Sequence, residues 1–335
     1  MNKGILGNNE LLQSMTLTVR RLDTALQRVD ATVMEIANSN HQDSTILQDI
    51  HSSVKILLHG SSCQFNKTKG KIPVQHIKQY KLGQTIFRQH CRFDLRSVMN
   101  DEWIGAISDG VMMDDGRLVF CLLESKRLLI CNTCGSKVDS IRLKPMPRYV
   151  TAVSNSTVAV TLAGSDYIEM YDINYKCKVR TIERLGNLFN ITTINNKLAL
   201  RVISTIYLID YMTGDVEHTI GTDVKCHKGL YANEQRIYFG SDHDLYCYNY
   251  SGDKLYNKTL PSPPKRITSL QDASLYVTCE DRSVRHVSSD GQHQTKVKTK
   301  ELKSVENCQV MGYNQKQRKL FTCSLRGSVD VFHEI

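Results

Sequence analysis

The sequence lacks any apolar run long enough to cross a membrane. Among its 335 residues the longest unbroken stretches, such as Leu118–Leu123, fall far short of the roughly 18 residues a spanning helix needs. No basic-then-apolar leader opens the chain, since Met1–Glu10 is polar and glycine-bearing, so a secretory signal is not expected. Cysteine is missing ahead of Cys63, and no C-x2-C pair stands in the N-terminal region; a zinc module takes four spaced ligands. Also absent are G-x-x-x-x-G-K-[ST], G-x-G-x-x-G after a strand, H-E-x-x-H and G-x-S-x-G, the phosphate cradles, metal pairs and nucleophile elbows of common enzymes. His227, His243, His286 and His333 occur singly, and a lone strand histidine is ordinarily structural. Glu124, Asp166, Asp242 and Glu280–Asp281 recur at equivalent turns, but Lys126, Arg127 and Arg282 stand beside them. That mixture reads as a solvated rim rather than a Ca²⁺ ring. No catalytic residue, cofactor or metal is assigned.

What is present begins with a heptad. Leu12, Met15, Val19, Leu22, Leu26, Val29, Val33, Ile36, Asn40, Asp43, Leu47, Ile50, Val54 and Leu57 follow one another at spacings of three and four, with no proline between them. A strict 3.5-residue period keeps one apolar seam facing a partner helix, whereas a single helix packed on a domain drifts off it. Residues 8–59 are therefore expected to form an α-helical coiled coil that pairs with itself or with a related chain. Asn40 and Asp43 interrupt the seam, and a buried asparagine can fix its register. Residues 60–73, rich in Gly, Ser, Asn and Lys, read as a linker.

Beyond the linker the pattern repeats about every 40 residues. An apolar strand core recurs at Leu118–Phe120, Val158–Val160, Leu198–Leu200, Ile237–Phe239, Leu275–Val277 and Leu320–Thr322, with offsets of 40, 40, 39, 38 and 45. A second strand follows each core, small polar turns separate them, and a more polar strand closes the unit. This is the arithmetic of four-stranded propeller blades, so residues 74–335 are expected to be an all-β six-bladed β-propeller. The last unit stops after its third strand, and Val74–Leu82 is the expected donor of the missing outer strand, which would leave no orphan sheet edge.

Blades reading DDGRLVFCLLESKRLLICNTCGSKVDSIRL, PRYVTAVSNSTVAVTLAGSDYIEMYDI and RITSLQDASLYVTCEDRSVRHVSSDGQ, behind a coiled coil and a linker, resemble the C-terminal part of tripartite-motif proteins with an NHL-like propeller. The resemblance implies a dimerising coiled coil and a propeller face that recognises proteins or, in some members, single-stranded RNA. It also implies a RING and B-boxes, for which this sequence has no cysteines ahead of the helix. Ubiquitin-ligase activity is thus not expected from this chain alone; it reads as a targeting part able to pair with RING-bearing relatives.

Charge separates the two parts. Residues 1–60 hold five Lys+Arg against six Asp+Glu, so the remainder carries 38 against 28, a balance of +10 within the overall +9. Connections into the innermost strands bear Arg148, Lys228, Lys265 and Arg266, and turns on the same predicted face bear Lys126, Arg282 and Arg326. Such a face suits an acidic or phosphorylated protein segment. RNA readers add aromatics for stacking, and only Tyr149 and Tyr231 lie nearby, so protein recognition comes first and RNA second. Eleven cysteines, most inside apolar runs such as those of Cys121, Cys131 and Cys247, point to a reducing, cytoplasmic setting.

Overall fold

Each unit of the repeat folds as one sheet. The structure is a computed structural model that describes residues 79–99, 105–183, 190–194, 197–224, 228–233, 235–297 and 308–335, Lys228 in its backbone only. The heptad segment and the linker lie outside the described residues.

The described chain opens with strand β1 (Phe87–Asp94) and a one-turn helix α1 (Leu95–Val98), capped by Asp94, whose side chain accepts the Arg96 N–H. The first blade holds β2 (Ile107–Met112), β3 (Leu118–Leu122), β4 (Arg127–Cys131) and β5 (Asp139–Arg142). The second holds β6 (Pro147–Ala152), β7 (Thr157–Leu162), β8 (Ile168–Asp172) and β9 (Cys177–Ile182). The third is β10 (Asn190–Ile194), β11 (Lys197–Val202), β12 (Thr205–Asp210) and β13 (Val216–Gly221), and the fourth β14 (Lys228–Ala232), β15 (Ile237–Ser241), β16 (Asp244–Tyr248) and β17 (Lys254–Thr259). The fifth is β18 (Pro264–Ser269), β19 (Leu275–Cys279), β20 (Val284–Val287) and β21 (Gln294–Lys296). The sixth, β22 (Cys308–Asn314), β23 (Lys319–Ser324) and β24 (Ser328–Glu334), is completed by β1. All neighbours are antiparallel, and the six-bladed all-β propeller read from the repeat is the observed fold.

Burial follows strand position. The second strands β3 and β19 are buried at every residue because both faces meet a neighbouring blade, which is why they read as unbroken apolar runs. Outer strands face solvent on one side, as in β13, where only Ile220 is buried. Apolar clusters fill the seams between consecutive blades: Val119, Cys121 and Leu128 of the first pack on Val158 and Val160 of the second, and Phe120 and Leu129 pack on Phe321 and Val331 of the sixth.

The closing strand differs from the sequence expectation. Ring closure is by Phe87–Asp94, paired with Ser328–Glu334, and not by Val74–Leu82, of which 74–78 lie outside the described residues and 79–82 form no strand. A bulge explains why β1 escaped a pattern search. Its register shifts between Gln89 and Cys91, and one extra residue moves every later side chain to the other face. Phe87 therefore packs into the seam between fifth and sixth blades, while Cys91 and Phe93 pack into the seam between sixth and first. Polar contacts then fix the strand. Buried Asp330 accepts from Gln89 Nε2 at 2.5 Å and Arg92 Nε at 2.7 Å. Glu334 accepts from Arg318 at 2.8 Å and from the Tyr80 and Tyr313 hydroxyls.

Candidate functional site

The turns between second and third strands reverse the chain in two to five residues, and each holds a residue in left-handed conformation. Lys126 (φ 52), Ile203 (φ 50), Asp242 (φ 45) and Arg282 (φ 65) supply it in four blades, Gly164 and Gly327 in the other two. Ile203 is conspicuous, because a β-branched residue is strained there, and it is exposed. The connections from each outer strand to the next inner strand bond onto these same turns. Leu143 N–H donates to Lys126 O and Ala163 N–H to Met146 O, both at 2.8 Å, while Glu280 N–H donates to Pro263 O and Leu95 N–H to Gly327 O, both at 2.9 Å. Both loop sets thus share one end of the propeller.

Entry into the inner strands is irregular in a repeated way. Among the described residues, five of the six inner strands shift register after their first residue, leaving Ser108, Arg148, Gly229, Lys265 and Gln309 as the extra residues. A bulge of this kind re-aims its extra side chain away from the ladder. In the fourth blade it requires glycine: Gly229 has φ 48, and a Cβ there would lie 2.9 Å from Lys265 O.

Exposed cations gather on this end. Lys126, Arg148, Lys265, Arg282 and Arg326 are all exposed, and among the described residues no ion pair engages Lys126, Lys265, Arg282 or Arg326. Lys228 opens β14 at the same end. Neighbouring acids are partly spent on the backbone: Glu124 accepts from Ala106 N–H at 2.5 Å, and Asp281 accepts from the Ser283 N–H at 3.0 Å and its hydroxyl at 2.7 Å. Burial raises the Asp281 carboxyl, but those hydrogen bonds and the nearby Arg285 and Lys296 outweigh it and hold the group below the usual range. The six inner strands enclose a central cavity of about 260 Å³.

Arg266 departs from the expectation that put it on the open face. Its guanidinium reaches across the channel mouth, donating from Nε to Gln309 O at 2.7 Å and from Nη2 to Ser108 O at 2.8 Å, with Asp109 Oδ1 at 3.7 Å. It thereby joins the fifth, sixth and first blades. Asp109 accepts the Val150 N–H at 3.1 Å; burial still raises its carboxyl, against the opposing pull of Arg266 and these N–H groups. The sequence reading missed Asp109, Ser108 and Gln309. Ser108, Arg148 and Lys265 each lie ten residues before their strand core, a shared position the sequence does show, whereas Gly229 lies eight and Gln309 eleven residues before theirs, so the repeat does not reveal them.

The two tyrosines expected beside the cationic loops do not stand as open stacking platforms. Tyr149 is half-buried, with Arg148 and Arg266 each 5.7 Å from its ring centroid. Tyr231 leans on Tyr238 with centroids 6.4 Å apart, and burial pushes its hydroxyl up to about 12. Among the described residues no group of three or more His, Cys, Asp or Glu side chains is placed to hold a metal ion, and no helix is long and apolar enough to cross a membrane. Cys131 and Cys134 share a C-x2-C spacing, but Cys131 is buried and Cys134 exposed.

No protein-family model matches the sequence, and no curated protein does. Solved structures match in fold. The Neurospora crassa Pan2 WD40 domain is similar over 76% of this chain and 96% of its own, with 9% identity and a TM-score of 0.56. A chain of a mitotic checkpoint complex crystal structure is similar over 81% of this chain and 97% of its own, with 11% identity and a TM-score of 0.50. At such identities the likeness is one of fold: a β-propeller similar to WD40 domains.

Proposed function

We propose that the protein is a non-enzymatic, cytoplasmic scaffold whose propeller binds an acidic or phosphorylated protein segment. The observation that carries this reading is the set of exposed cations, Lys126, Arg148, Lys265, Arg282 and Arg326, on the one end where turns and inter-blade connections meet. Lys228 belongs to the same end by its backbone position. The exposed cations lie within hydrogen-bonding reach of solvent and attract and orient an anionic partner, while the Glu124 and Asp281 carboxylates beside them are turned to N–H groups of their own blades. RNA is the alternative ligand and is less well supported, since neither Tyr149 nor Tyr231 presents an open ring. Fluorescence anisotropy with an acidic peptide, its phosphorylated form and single-stranded oligouridine tests the choice. Peptide binding with weak oligouridine binding is expected. Tighter oligouridine binding with a steep salt slope would move the assignment to RNA.

The heptad residues 12–57 extend the proposal to assembly. A paired coiled coil presents two or more propellers and raises the effective concentration for a multivalent partner. The resemblance to tripartite-motif proteins makes a substrate-recognition role beside RING-bearing relatives the favoured biological setting. Sedimentation velocity of the full chain is expected to show a dimer or higher oligomer; a monomer at micromolar concentration sinks this part of the account.

A further inference from the structure

Two of the turns between second and third strands consist of just two residues, Ile203–Ser204 in the third blade and Asp242–His243 in the fourth. In both, the first of the pair is left-handed, with φ 50 at Ile203 and φ 45 at Asp242. Aspartate tolerates that conformation, whereas a β-branched residue resists it. Ile203 gains no burial in return, since it stands 45% exposed. A single exposed apolar residue is ordinary on a protein surface. One held in a conformation it resists is not, and such outliers persist only where neighbouring groups fix them. Here the turn is fixed from beneath. Ile203 O accepts from Arg201 Nε at 3.3 Å, and Arg201 Nη2 donates to Val224 O at 3.0 Å. Arg201 is almost wholly buried, its guanidinium 3.9 Å from the Phe239 ring centroid. Ser204 O accepts from the Thr222 N–H at 2.7 Å and from Thr222 Oγ1 at 2.8 Å. A fixed backbone and a stiff β-branched side chain present an apolar surface with little freedom left to lose on binding.

We infer, on the reading of this end as a docking face for an acidic segment, that Ile203 is its specificity-determining anchor and seats a large apolar side chain of that segment. Equivalent turns in the first, fifth and sixth blades carry Lys126, Arg282 and Arg326, so the third blade sets one apolar point on an otherwise cationic end. The two kinds of residue do different work. Cations steer an anionic segment over a long range and select weakly among acidic sequences. A fixed apolar contact selects by register, because only a segment with an apolar side chain at the matching position covers Ile203. The strain in the turn is the cost of holding that contact ready, and a residue at ease there would give it up.

Fluorescence anisotropy of the full chain compares a phosphorylated acidic peptide free of apolar residues with a set of equal charge in which one leucine is moved through the sequence. Leucine at one position should tighten binding about tenfold. In Ile203→Asn, which accepts a left-handed turn, that gain should disappear. The leucine-free peptide should still bind this variant within about threefold of the native chain, and its Tm should be unchanged or higher. Ile203→Leu should keep most of the gain. So should Met212→Asn, which removes an exposed apolar side chain from the opposite end. Leucine without effect at every position, a gain that survives Ile203→Asn, a gain lost in Ile203→Leu or Met212→Asn, or a clear fall in Tm in Ile203→Asn would each overturn the proposal. Failure of the leucine-free peptide to bind the native chain is a separate result, which sinks the acidic docking face and this anchor with it.

Discussion

His286 shows how a single side chain sets a pH dependence. It is fully buried in β20, with Nε2 at 2.9 Å from Ser274 Oγ and its ring edge-on to Tyr276. Burial depresses its pKa from 6.5 to about 4, with Asp272 pulling weakly the other way. The folded protein thus prefers the neutral ring more strongly than the unfolded chain does. The associated stability is complete above about pH 6.5 and is lost as pH falls from there toward 4, a change on the order of 3 kcal/mol. Glu334 acts lower on the scale: burial raises its carboxyl, hydrogen bonds from Arg318, Tyr313 and Tyr80 outweigh that, and the net depression removes stability only below the ordinary carboxylate range. Chemical denaturation between pH 7 and 5 should show a falling stability for the native chain. In His286→Gln, which cannot titrate, most of that slope should vanish.

Among the elements, the second and third strands were legible and the first and last were not. The reason is where each lies. Strands such as β3 and β4 are covered on both faces and show as apolar runs in any register. Inner strands line the cavity and five of the six carry a bulge near their start, so Ser108-Asp109-Gly110 in β2 gives no apolar signal. β1 was hidden by its own bulge: Phe87 serves one seam and Cys91 and Phe93 the other, which no fixed period reveals. Six cores and a truncated last unit nevertheless required a donated strand, so closure was deduced correctly while its residues were misplaced. The cationic residues were legible as a set because they recur at equivalent loops. Arg266 could not be told apart from them, since its partners are the backbone carbonyls of Ser108 and Gln309. The importance of β1 is testable at Arg92, which donates to fully buried Asp330. Arg92→Ala leaves that carboxylate with Gln89 as its remaining side-chain donor among the described residues and should cost about 2 kcal/mol in urea denaturation. Arg92→Lys, which keeps the charge without the guanidinium fork, should recover part of the loss.

As a whole molecule, the propeller divides its labour between two ends. At one end, turns are tied by asparagine and aspartate side chains to their own backbone: Asp172 accepts from Asn174 N–H at 2.8 Å and Tyr175 N–H at 2.9 Å, and Asp210 from Met212 N–H at 2.7 Å. These contacts are structural turn chemistry. At the other end the turns and inter-blade connections carry exposed cations above a mouth bridged by Arg266 and Asp109, and that end is where a partner is proposed to dock. The most direct test compares two variants of equal charge change by their binding to the phosphorylated acidic peptide. Reversing Arg148, Lys265, Arg282 and Arg326 to Glu should weaken binding at least tenfold while leaving the Tm within a few degrees. Reversing Lys137, Lys176, Lys254 and Lys316, at the opposite end, should leave binding within about threefold. Equal losses in the two variants, or binding that survives the first, would contradict a docking face at the cationic end.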